Sequence, residues 1–106
     1  MSWIFLVLAG LLEIGFTTAL KLSNGFSLDR PKYILVFGAF ALASFFFLNL
    51  AMRGISLGTA YAVWTGIGAA GTVLVGVLYF GETLSAAQIG FLGLLIGSII
   101  GLKLVS

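Results

Sequence analysis

Four apolar runs, separated by short polar breaks and carrying one charge between them, occupy almost the whole chain. They are Trp3–Leu20, Tyr33–Met52, Ile55–Phe80 and Ala86–Leu102. About 20 apolar residues in a helix cross a hydrocarbon core of roughly 30 Å, so each run is long enough, or nearly so, to span a bilayer. Buried helices of a soluble domain would alternate apolar and polar faces, and these runs do not. Of the 106 residues, 61% are hydrophobic and 8% charged, against about a quarter charged in a soluble domain. Lipid must therefore be the solvent for most of the surface. The expected fold is an all-α membrane protein of four transmembrane helices, a single domain over residues 1–106. The first run lacks a basic leader and contains Glu13, so it is read as a membrane helix rather than a signal peptide.

The breaks are Lys21–Lys32, which holds the chain's one proline, the tight turn Arg53-Gly54, and Gly81–Ser85. The chain has neither Cys nor His, which removes disulfides, thiol nucleophiles and the commonest metal ligand. It shows no phosphate-binding glycine motif, no acid/base pair and no nucleophile set, so neither an enzyme nor a cofactor or metal is expected. A net charge of +2, scattered along the chain, gives no nucleic-acid footprint. Lys21, Arg30 and Lys32 fall at one end of the bundle, and Arg53, Lys103 and the terminal amine at the other. That is almost no positive-inside bias. Insertion in both orientations, and with it an antiparallel dimer, is one outcome; a single orientation set by a bias of one is the other.

Glu13 lies ten residues past Trp3, which places it roughly 15 Å deep at about 1.5 Å per residue. An ionisable group at that depth is costly and normally faces a functional cavity. Desolvation penalises its charged form and a nearby cation favours it. One carboxyl can thus exchange a proton for a cation, the minimal chemistry of an antiporter. The bland alternative is a protonated Glu that only bridges two helices. One turn either side of it lie Ala9, Gly10, Phe16 and Thr17. The small residues leave room for the carboxyl or simply let helices approach, and Thr17 is a candidate hydrogen-bond donor to it. Ser44 in the second run falls near the same depth, although a serine there often bonds its own backbone. Tyr61 and Trp64 in the third run share a face. They form either a binding wall, where aromatic faces attract cations, or part of an interfacial belt. Gly66, Gly68 and Gly71 follow, where a helix can hinge. In the fourth run Gly93, Gly97 and Gly101 form a GxxxGxxxG stripe suited to a dimer interface.

Taken together, LLEIGFTTALKLSNGF around Glu13 and GTAYAVWTGIGAAGT around Trp64 resemble the small multidrug resistance family over the whole chain. The resemblance implies a proton-coupled exporter of small organic cations, working in the bacterial cell membrane as an antiparallel dimer. One Glu13 from each subunit would form a shared site, lined by Ser44, Tyr61 and Trp64, with Gly10 against the carboxylate. The WTGIG form and Ala41, three residues before Ser44, resemble the guanidinium-exporting branch. Two features depart from that branch: Phe16 stands where it typically has Trp, and Gly81-Glu82-Thr83 where it has Lys-Glu-Pro. These departures fit a looser pocket for substituted guanidines, a quaternary-ammonium exporter, or one subunit of a heterodimeric pair. From a different class, a non-transporting assembly subunit would use the glycine stripe alone.

Overall fold

The computed structural model describes residues 1–24 and 28–105. Gly25, Phe26 and Ser27 of the first break lie outside it, as does Ser106. The described chain forms four helices: α1 (Ser2–Leu22), α2 (Pro31–Ala51), α3 (Leu57–Tyr79) and α4 (Ala86–Val105). Each is long and apolar enough to cross a membrane, and the chain is a multi-pass membrane protein.

Helices and apolar runs differ at their ends, for local reasons. Lys21 continues α1, because a cation in the last turn meets the negative end of the helix dipole. Arg30 Nη1 then donates to the Leu22 carbonyl at 2.9 Å, satisfying one of the acceptors left at the helix end. Pro31 starts α2 at a position where its missing N–H costs nothing. The second turn, Met52–Ser56, closes with the Gly54 and Ile55 N–H groups both donating to the Ala51 carbonyl. After Tyr79 the chain turns through Gly81, whose φ of 69° suits a residue without Cβ. The Phe80 and Glu82 N–H groups both donate to the Gly76 carbonyl at 3.1 Å. Before α4, the Ser85 N–H donates to Gln88 Oε1 at 2.8 Å and the Gln88 N–H to Ser85 Oγ at 3.2 Å. This reciprocal box caps the new helix.

Basic side chains at both ends of the bundle sit over aromatic rings: Lys103 over Trp3, Lys21 over Phe80 and Lys32 over Tyr33, at 5.3–5.8 Å from the ring centroids. Long cationic stems that lie along aromatic groups and carry their charge outward are the pattern of the two membrane–water interfaces.

The three-helix core packs α1 against α2 and α3, around Leu6, Ala9, Ala51, Ile55, Ala60, Val63 and Trp64. α4 packs chiefly on α3, reaches α1 at one end through Lys103 over Trp3, and buries none of its residues. The Cα trace measures 46 × 35 × 16 Å, a slab of helices rather than a round bundle.

The seam between α1 and α3 positions the site. Residue numbers rise together across it, so the two helices run parallel. A Cβ placed on Gly10 would meet Ile67 Cγ2 at 2.6 Å, one on Gly68 would run into the Glu13 carboxyl, and one on Gly71 into Ile14. One step further, Thr17 Oγ1 lies 2.7 Å from Thr72 Oγ1. Each glycine is thus a socket for a side chain of the facing helix, which lets the backbones approach closely. Gly66 does the same for Ile99 of α4, at 2.7 Å from its Cδ1. α3 is continuous through Gly66, Gly68 and Gly71, and each of these glycines is filled by a side chain of a facing helix.

Candidate functional site

α1 is 21 residues long, about 32 Å at 1.5 Å per residue, and Glu13 stands near its middle. The Glu13 side chain is half-buried and inserts into the socket of Gly68 on α3. Its Oε1 is closed off from solvent and has no hydrogen-bond partner among the described residues. A buried carboxyl oxygen without a donor is costly in any state other than a protonated or cation-bound one.

One turn before Glu13, a polar chain ties three helices together. Ser44 Oγ of α2 is fully buried and donates to the Ala9 carbonyl of α1 at 2.7 Å. Trp64 Nε1 of α3 donates in turn to Ser44 Oγ at 2.9 Å. Ser44 therefore bonds a backbone carbonyl of a neighbouring helix, not its own, and holds the indole of Trp64 in place. Tyr61 stacks obliquely on that indole, with centroids 5.8 Å apart and planes at 42°. At 57% exposure, Tyr61 has its ring available to a ligand or another chain.

The aromatic wall extends beyond the expected residues. Phe16 meets Phe37 edge-on at 5.6 Å and Phe45 at 6.1 Å, and Phe45 leans on Trp64 at 5.8 Å. A continuous set of rings, Phe37–Phe16–Phe45–Trp64–Tyr61, thus crosses α2, α1 and α3. Phe37 and Phe45 were not singled out in the sequence. Their spacing of two helical turns, on the face shared with Ala41, is the signal that marks them.

The contacts of Gly10 and Thr17 are as follows. Gly10 receives Ile67 as its nearest neighbour, and Gly68 is the glycine into whose socket the Glu13 carboxyl projects. Thr17 does not donate to the carboxyl. Its Oγ1 lies 3.0 Å from the Glu13 and Ile14 carbonyls, within the reach of a helical threonine to the preceding turn. Among the described residues, Gly93, Gly97 and Gly101 have no atom within 4 Å of an added Cβ, so their stripe is open there.

Comparison with known proteins bears on what such a site belongs to. A sequence profile described as Small Multidrug Resistance protein matches residues 1–95. The chain belongs to the small multidrug resistance family. Among its curated relatives, a protein of Yersinia pseudotuberculosis named "Guanidinium exporter" is 53% identical over 106 residues, covering 100% of both chains. One from Citrobacter freundii with the same name is 48% identical over 104 residues, covering 98% of this chain and 97% of the relative. A family member from Salmonella typhimurium strain LT2, again so named, is 46% identical over 104 residues. The membrane setting and the four-helix fold thus agree with the family.

Proposed function

We propose that this chain is a proton-coupled antiporter that exports guanidinium or substituted guanidinium ions across the bacterial cell membrane. The observation that carries the reading is Glu13: a carboxyl at mid-membrane, seated on Gly68, with a buried oxygen that no group among the described residues satisfies. A proton completes that group in one state and a cation in the other. Guanidinium presents N–H donors in a plane that matches carboxylate geometry. Trp64, anchored through Ser44, and the half-exposed Tyr61 supply aromatic faces for the delocalised charge. The names of the relatives support this substrate class.

The working unit is an antiparallel homodimer in which each subunit contributes one Glu13. The thin slab and the open glycine stripe of α4 support assembly through a second copy. A quaternary-ammonium exporter is the second reading, favoured by Phe16, whose ring lies between Phe37 and Phe45 and offers no N–H. The test is current recorded on supported membranes from purified protein in liposomes, with guanidinium, methylguanidine and tetrapropylammonium perfused in turn. Guanidine currents that depend on a proton gradient are expected. Current with tetrapropylammonium and none with any guanidine would overturn the assignment in favour of the second reading.

A further inference from the structure

The Glu13 turn is held by polar ties four residues to either side. On one side the Trp64–Ser44 chain ends on the Ala9 carbonyl. On the other, Thr17 Oγ1 meets Thr72 Oγ1 at 2.7 Å. The first tie uses residues already placed in the site. The second depends on Thr72, to which neither the sequence nor the site assigned a role.

We infer that Thr72 is a positioning residue for Glu13, locking α1 against α3 one turn beyond the carboxyl. This rests on the reading of Glu13 as the ion-binding group. A threonine hydroxyl has one proton and two lone pairs. Thr17 spends its proton on the carbonyls of its own helix, at 3.0 Å. Toward α3 it must then accept, and Thr72 Oγ–H is the donor. The bond fixes both the rotation and the height of α1. Glu13 and Thr17 share one face of α1, and Gly68 and Thr72 share one face of α3, each pair one turn apart. Setting Thr17 on Thr72 therefore sets Glu13 on Gly68. It also keeps the Thr17 proton from the carboxyl, which stays free for its ligand.

Thr72→Val keeps the shape and removes the hydroxyl, and Thr72→Ser restores it; Thr72→Ala replaces Thr72→Val if that protein does not fold. Two measurements apply. In liposomes, the half-saturating guanidinium concentration of Thr72→Val should rise about threefold, and at most about eighteenfold, the range of single hydrogen bonds between membrane helices. Maximal current should change less, and Thr72→Ser should return to wild type. In bicelles, carboxyl-¹³C glutamate labels only Glu13 and Glu82, and Glu82→Gln identifies the Glu13 resonance. That resonance should move in Thr72→Val and return in Thr72→Ser. Lower thermal stability with an unmoved resonance and unchanged half-saturation would reduce the pair to helix adhesive and overturn the inference. Equal loss in Val and Ser would do the same. If the wild-type protein carries no guanidine, the proposed substrate fails, while the resonance still decides whether Thr72 positions Glu13.

Discussion

A single methyl group added at Gly68 tests the geometry of the site more sharply than loss of the carboxyl does. The new Cβ would lie 2.7 Å from Glu13 Cγ and closer still to the carboxyl itself. Something must move, and the flexible Glu13 side chain moves more readily than the backbone of α1. Overpacking costs about 1–3 kcal/mol, and the lower end applies where the obstacle can swing away. Replacing a mid-helix glycine by alanine returns about 1 kcal/mol of helix propensity. The two nearly cancel, so Gly68→Ala should keep its folding stability within about 1–2 kcal/mol of wild type while displacing the carboxyl. Gly71→Ala is the control, because its Cβ meets the flexible Ile14 side chain instead. Thermal unfolding in detergent measures the first effect and guanidinium-dependent current in liposomes the second. We expect near-equal stabilities for the two variants and at least a tenfold higher half-saturating concentration for Gly68→Ala. Wild-type half-saturation in Gly68→Ala, or an equal change in Gly71→Ala, would refute the seating of Glu13 on Gly68.

Glu13→Gln keeps shape and hydrogen bonding but cannot exchange a proton, so coupled transport should vanish from a folded protein; normal proton-driven export by this variant would remove the antiport mechanism. Gly97→Leu should weaken self-association, read by cross-linking in liposomes, more than Gly38→Leu, since both sites are open within the chain but only Gly97 is central to the stripe of α4. Equal effects would take the interface away from that helix. Phe16→Trp, which adds an N–H donor to the aromatic wall, should narrow the substrate range against bulky cations, and unchanged tolerance of alkylated guanidines would count against Phe16 as a selectivity position.

Hydropathy alone made the four helices legible, because in lipid a helix must satisfy its own backbone and needs no amphipathic partner to announce it. The same uniformity hid which faces pack. Nothing in the run from Leu57 to Tyr79 marks which glycines receive a side chain, and only the facing Glu13, Ile14 and Ile99 show it. Glu13 stood out as the one charge in an apolar run. Ser44 and Trp64 stood out by depth and type, but their mutual hydrogen bond depends on the crossing of α2 and α3 and is invisible to spacing. Lying one turn from Glu13, Thr17 is by spacing a candidate donor to the carboxyl. A helical threonine, however, finds its own carbonyls first. Thr72 gave no signal, since a lone threonine in a membrane helix acquires meaning only from what it faces.

α4 has no buried residue and packs chiefly on α3, with Lys103 reaching Trp3 of α1 at one end. A soluble protein could not keep such an element, because its apolar sides would face water. Here the helix is kept by its own backbone hydrogen bonds and by the hydrocarbon around it, tethered through the short Gly81–Ser85 link. The bilayer is in that sense a structural component of the chain, standing where a fifth helix would stand in a soluble bundle. Solubilisation replaces that component. A detergent whose micelle is thinner than the bilayer gives α4 a different wall to lie against while leaving the α1–α3 seam intact. The surroundings in which the protein is purified therefore act most strongly on the helix its core holds least.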